Sequence, residues 1–335
     1  MKHFGSGLAL LLCLFVALLV ADLCIGSISI PFADVWTALF GQATDASVYR
    51  DIVLDFRLPK ALTAIMAGAA LSVSGLMMQT MFRNPLAGPD VLGVNSGASL
   101  GVALLVMLGS IGGTSFFALG SWSLVVAAIA GALLVLLLIL FISRRMPDIV
   151  SLLIVGMMLG YIASSVVSLL QSMTNAESLK LFVFWTFGSL SSVSWQMMPV
   201  LALLFVVGIA VSFSLAKEMD ILLLGESYAQ TLGVSIPRIR FVLIFCTAIL
   251  SGSITAFAGP ISFIGITVPH LARGLVRDWS HRRLLPVCML CGSCLLLLCD
   301  IVSQLPLFHA SFPINSVTAL IGAPVIIWIM LKNRR

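Results

Sequence analysis

Residues 197–215, MMPVLALLFVVGIAVSFSL, and residues 241–258, FVLIFCTAILSGSITAFA, are both apolar enough to cross a bilayer. The stretch between them, 216–240, reads AKEMDILLLGESYAQTLGVSIPRIR and is amphipathic rather than simply hydrophilic. A plain membrane loop needs only solvated turn residues. Here a short apolar run at 221–224 meets a Gly225-Glu226 corner, and a second short helix over 227–232 is predicted to end at Gly233. Two membrane spans joined by paired surface helices fix the fold class as an all-α integral membrane protein. They also point to a soluble partner on the side where the break lies.

The rest of the chain repeats the pattern. Of its 335 residues 60% are hydrophobic and only 9% charged, against a charged fraction of roughly 25% in soluble domains. Windows of about 19 residues place spans at 8–26, 61–81, 92–108, 118–142, 149–170, 197–215, 241–258, 261–276, 284–305 and 313–331. That makes about ten transmembrane helices in a single domain, 1–335, with the partner-facing loop at 216–240. The eighth span is short and carries Gly265 and Pro269, as a broken helix packed on protein would.

Positive charge sets an orientation. With a cytoplasmic N-terminus, Lys2, Arg83, Arg144, Arg145, Lys217, Arg238, Arg240, Arg273, Arg277, Arg282, Arg283, Lys332, Arg334 and Arg335 fall inside; Arg50, Arg57, Lys60 and Lys180 fall outside. Both termini and 216–240 are then cytoplasmic. The net charge of +5 needs no nucleic acid, because the cations sit at helix ends. Residues 1–26 resemble a secretory signal, but losing them would reverse every later span against the charge bias, so they are expected to remain as a span.

Several chemistries are excluded. There is no GxxxxGK[ST] phosphate loop, no HExxH and no nucleophile with a plausible base, so the chain is not expected to hydrolyse ATP or act as an enzyme. Cys288, Cys291, Cys294 and Cys299 lie in an apolar run where steps of three do not converge on one metal, and Met77 and Met81 read as packing. An ion-coupled transporter would place an ionisable residue deep in the bilayer; Asp22, Asp300 and His270 are candidates, each also readable as a packed polar residue. Segment 171–196, with Phe182, Phe184, Trp185, Phe187 and Trp195, predicts an interfacial helix. The loop 82–89, FRNPLAGP, is either a tight turn or a piece of a gate, and 273–283 carries either topological charge or a surface for a partner or anionic lipid. Spans two to five and seven to ten start from opposite sides, as an inverted repeat would, with Ser74-Gly75 and Ser251-Gly252 in matching places.

The ordered set Arg57-Leu58-Pro59-Lys60, Gly68 to Gly75 through Gln79, Arg83-Asn84-Pro85-Leu86-Ala87, Leu92-Gly93, Gly188-Ser189-Leu190, Leu224-Gly225-Glu226, Leu232-Gly233, Gly259-Pro260, Pro269-His270 with Arg273, Asp300 and Thr318 to Pro324 resembles the FecCD family across nearly the whole chain. Those proteins are permease subunits of ABC importers for iron–siderophore complexes, haem and cobalamin. The resemblance implies the BtuC-like type II importer permease fold in the cytoplasmic (inner) membrane, and alternating access driven from outside the chain. It implies as partners a second permease subunit, two cytoplasmic ATPases that bring ATP and magnesium, and an extracytoplasmic binding protein, with no cofactor in this chain. By the same resemblance Asp220, Gly225, Glu226, Ala229, Leu232 and Gly233 couple to the ATPase, and Arg57 and Lys60 receive acidic groups of the binding protein. Gln79, Asn84, Pro85, Pro269 and His270 belong to the translocation path or gate. An iron–siderophore chelate is the expected cargo, haem or cobalamin the alternative. Two positions depart from the family: Gln304 where Arg is frequent, and Ser311-Phe312-Pro313-Ile314-Asn315 where a carboxylate and a glycine are common.

Overall fold

The computed structural model describes residues 2–26, 28–41, 48–109, 121–143, 145–146, 149–276, 280–305 and 312–332. Among these, regular structure is entirely helical. In chain order the helices are α1 Lys2–Cys24, α2 Phe32–Phe40, α3 Val48–Asp51, α4 Leu58–Met81, α5 Val94–Ala103, α6 Ser121–Ser143, α7 Ile149–Met173, α8 Ala176–Thr186, α9 Met198–Ser214, α10 Ala216–Leu222, α11 Glu226–Thr231, α12 Ile236–Ala258, α13 Ile264–Val276, α14 His281–Ser303 and α15 Ile314–Lys332. Six segments are long and apolar enough to span a membrane, and the bent pair α9–α10 makes a seventh. The shorter apolar helices Val94–Leu108, Ile264–Val276 and Ile314–Ile329 complete the expected ten.

One boundary differs from the sequence expectation, and one helix is added to it. The second span does not begin at 61: Val48–Met81 is one continuous helical segment. Pro59 has no N–H and its ring crowds the carbonyl four residues back, and the chain accommodates it by widening to a π-helix over Ile52–Arg57. The outer segment also contains α2, whose Phe32, Trp36 and Phe40 form an exposed aromatic ladder with centroids 6.1 and 4.7 Å apart, while Val35 and Ala38 are buried. This spacing of four suits an interfacial helix. The helix expected in 171–196 is present as α8, capped by Asn175 Oδ1 accepting from the Ser178 N–H at 2.9 Å.

Burial ranks the helices. The most apolar window of Val48–Met81 is 89% buried, against 17% for Gly7–Cys24 and 22% for Ile149–Met173, so α4 is the central helix and α1 and α7 are peripheral. Small residues let its neighbours approach closely. Side-chain space at Gly68 is taken by the backbone of Gly292 on α14, and at Gly75 by the carbonyl of Gly265 on α13. That carbonyl lacks its helical N–H partner because Pro269 stands four residues on; the glycine lets α4 pack directly over it. On the other side Gly97, Gly101 and Gly131 close α5 on α6, and Gly252 of α12 faces Val94 of α5 and Ala132 of α6. Thus α4 packs on the α13–α14 pair while α12 packs on the α5–α6 pair, the reciprocal arrangement an inverted repeat requires.

Candidate functional site

The polar break folds as two short helices on one face of the bundle. After Ser214 the chain turns by 53° into α10, which buries Ala216, Met219 and Leu222. Gly225, with φ 111°, precedes α11; this backbone conformation strains any other residue. The second helix begins at Glu226, one residue earlier than its pattern predicts, and buries only Ala229. It closes in a Schellman motif: the Val234 N–H reaches the Ala229 carbonyl, the Gly233 N–H reaches the Gln230 carbonyl, both at 3.0 Å, and Gly233 has φ 84°. Leu224, Tyr228 and Leu232, four residues apart, remain exposed.

The charged residues of this loop hold it to the bundle. Glu226 does not point outward. Both its oxygens accept from Arg240 Nη2, at 2.6 and 2.7 Å, and Oε1 also accepts from Nε at 3.2 Å. The guanidinium is buried at the start of α12. Asp220 Oδ1 accepts from the backbone N–H of His281 at 2.8 Å and from its ring Nδ1 at 2.6 Å. The carboxylate of α10 therefore caps α14, where no local side chain does so. His281 Nε2 lies 2.8 Å from Thr80 Oγ1 at the end of α4.

The candidate gate residues gather around that same end. Gln79 donates from Nε2 to the Ile266 carbonyl at 3.2 Å and accepts from Arg273 Nη1 at 2.6 Å. Beyond Met81 a second Schellman motif reverses the chain. The Asn84 N–H reaches the Gln79 carbonyl and the Arg83 N–H the Thr80 carbonyl, with Arg83, not glycine, in the left-handed position at φ 47°. Asn84 Oδ1 then accepts from the Leu86 N–H at 2.9 Å, and His270 Nε2 pairs with the Pro85 carbonyl at 2.8 Å. So Gln79, Asn84, Pro85, Pro269 and His270 meet where α4, the 82–89 loop and α13 converge. An apolar cavity of about 860 Å³ borders His270 and Arg273 between α1, α13, α14 and α15. Residues 277–279, the middle of the basic 273–283 stretch, lie outside the described residues.

At the opposite end, Arg57 and Lys60, expected to receive acidic groups of a binding protein, are both engaged within the bundle. Arg57 is buried and donates to the carbonyls of Leu23, at 2.6 Å, and Ile28. It satisfies acceptors released at the end of α1, which is what draws it inward. Lys60 pairs with Asp300 at 2.7 Å, and Asp22 lies buried against Asp300. Gln304 donates to Asp300 Oδ2 at 2.9 Å. With Lys60 already opposite Asp300, a neutral donor meets the need there without a second cation. Asn315, the other departure, joins three elements: its N–H reaches the Phe187 carbonyl at 3.2 Å and its Oδ1 accepts from the Ser262 N–H at 3.1 Å. Lys60, Asp300 and Gln304, with Trp185, Ser189 and others, line a cavity of about 1030 Å³.

No described group of three or more His, Cys, Asp or Glu residues could hold a metal ion. Cys288, Cys291, Cys294 and Cys299 are buried free thiols along α14. Met77 and Met81 are buried too, with Met77 Sδ accepting from Ser212 Oγ at 3.5 Å. Sequence inspection did not single out His281, Thr80 or the Arg240 partner of Glu226. Only Ser280-His281 opening an apolar run hinted at a helix start.

The FecCD transport family profile matches residues 12–332. The vitamin B12 import system permease protein BtuC of Shigella boydii is 38% identical over 328 residues, 97% of this chain and 95% of that protein. That of Citrobacter koseri is 37% identical over 330 residues, 98% and 94% of the two chains. A solved structure described as the inward-facing conformation of a metal-chelate type ABC transporter superposes with a TM-score of 0.84 at 32% identity, covering 96% of this chain and 97% of that one. A ten-span bundle around a glycine-packed central helix, with paired surface helices on one face and relatives aligned almost end to end, places this chain in the FecCD transport family.

Proposed function

We propose that this chain is the membrane-spanning permease subunit of an ATP-driven importer for a metal chelate, acting by alternating access with a second permease subunit, two separate ATPases and an extracytoplasmic binding protein. The observation that carries the reading is the α10–α11 pair. Its exposed Leu224, Tyr228 and Leu232 offer an apolar contact to a soluble protein, and its acidic residues tie that contact to helices α12 and α14. Such a loop moves helices when its partner moves. ATP and magnesium belong to that partner. The Lys and Arg bias supports a cytoplasmic position for this face and both termini at the inner membrane.

The cargo is a large chelate. The named relatives are vitamin B12 permeases at 37–38% identity, which favours cobalamin, whereas the iron–siderophore reading rests on the family's breadth. Proteoliposomes holding the permease, its ATPase and its binding protein should accumulate either radiolabelled cyanocobalamin or a ferric hydroxamate only when ATP is present on the ATPase side. Uptake by the permease alone under an ion gradient would refute the proposal.

A further inference from the structure

The hydrogen bonds of His281 exceed what capping requires. A cap on α14 needs only the Asp220 carboxylate and the His281 backbone N–H. The ring adds two more bonds, one back to Asp220 and one on to Thr80. His281 and Thr80 are both buried, 1% and 0% exposed, while Asp220 stands at the face where α10 meets solvent. Three side chains distant in sequence therefore make one unbroken line from the surface helix to the last turn of the central helix. That turn is where the candidate gate hangs. Gln79 is bonded to α13 through Ile266 and Arg273, and the Gln79 and Thr80 carbonyls receive the N–H groups that shape the 82–89 loop.

We infer that the Asp220–His281–Thr80 chain is the strut by which displacement of α10 reaches α4 and the gate, with His281 as its positioning residue. The inference rests on the permease reading above. It has a geometric basis: a buried imidazole with two short bonds has little slack, and its two nitrogens point to opposite ends of the line. Breaking the Thr80 end should leave α14 capped by the backbone N–H, yet remove the polar link between the surface helix and α4, leaving only their packing.

Two substitutions cut the ends separately. In His281→Asn the amide nitrogen takes the place of Nδ1, keeping Asp220 and losing Thr80; in His281→Gln it takes the place of Nε2, keeping Thr80 and losing the ring bond to Asp220. The complete importer in proteoliposomes is assayed for cobalamin or ferric hydroxamate taken up per ATP hydrolysed, with co-purification of the ATPase as the check on assembly. Both variants should co-purify with the ATPase while the ratio falls, about three- to tenfold in His281→Asn, which loses a neutral hydrogen bond, and less in His281→Gln, where the backbone N–H still holds Asp220. A parental ratio in both variants, or in His281→Asn alone, overturns the strut. Should the ring variants fail to accumulate, Thr80→Val against Thr80→Ser decides: the valine must uncouple and the serine must not, and equal ratios overturn it. If the parent shows no ATP-dependent uptake, the permease reading itself fails, independently of the strut.

Discussion

Replacing Glu226 by Gln should loosen α11 without disturbing the bundle beneath it. The carboxylate meets a guanidinium that is only 6% exposed, through three contacts of 2.6 to 3.2 Å. Removing one partner of a fully buried ion pair costs about 3–5 kcal/mol. The Glu226 side chain is 28% exposed, and Arg240 keeps other interactions, so solvent and those partners reduce the figure to about 2–3 kcal/mol. At about 1.4 kcal/mol per factor of ten, local opening becomes about 30- to 150-fold more frequent. Hydrogen exchange read by mass spectrometry on the protein in lipid nanodiscs measures this directly. Amides of 226–234 should exchange faster by that factor while 264–276 and 58–81 keep their parental rates. Adding Arg240→Met removes the stranded cation and should recover much of the protection. An increase below about threefold at 226–234, or an equal increase in α4, would show that the pair does not anchor the helix.

Gly75→Ala and Gly233→Ala should differ sharply. At 75 the new methyl group would meet the Gly265 backbone, which cannot yield without separating α4 from α13, a cost of about 3 kcal/mol or more seen as loss of the monodisperse species. At 233 no atom lies within 4 Å, and only the positive φ is penalised, by about 1 kcal/mol, so the thermal midpoint should move by a few degrees at most. Lys60→Met should destabilise by about 3 kcal/mol because Asp300 stays buried without its cation, and Asp300→Asn in the same chain should restore most of the midpoint. A water-soluble maleimide should leave Cys246, Cys288 and Cys299 unlabelled until the protein is denatured; rapid native labelling would mean that α12, for Cys246, or α14, for the other two, is not packed as described.

The spans and the surface-helix pair were readable because each is a local pattern. A run of apolar residues must find lipid or a core wherever it lies, and Leu232-Gly233 after an amphipathic turn has few outcomes besides a glycine-closed helix. Long-range partners were not readable. Glu226 sits 14 residues from Arg240, and nothing in their spacing says whether the carboxylate faces a neighbour or a partner protein. His281 lies 61 residues from Asp220 and 201 from Thr80. Arg57 illustrates the same limit, since a cation near a helix end looks identical in sequence whether it meets water or the carbonyls of α1. Arg83 at φ 47° escaped for another reason: the second Schellman motif uses arginine where the usual signal is glycine.

Close backbone packing limits how the proposed change of access can occur. Gly68 against Gly292 and Gly75 against Gly265 fasten α4 to α13 and α14, and Gly97, Gly101 and Gly131 fasten α5 to α6. Interiors packed this tightly do not deform continuously; they move as bodies or repack. The proposed alternation of access would then shift the α4–α13–α14 group against the α5–α6 group, with α12 lying between them and packing on both α4 and α6. The anchors of the surface loop divide in the same way. Asp220 of α10 is tied through His281 to the first group, and Glu226 of α11 is tied through Arg240 to α12 at the junction. A partner that changes the angle between α10 and α11, which meet at Gly225, would thus pull on both sides of the joint at once. A crosslink fixing α10 to α11 should then stop transport even with every helix of the bundle free to move.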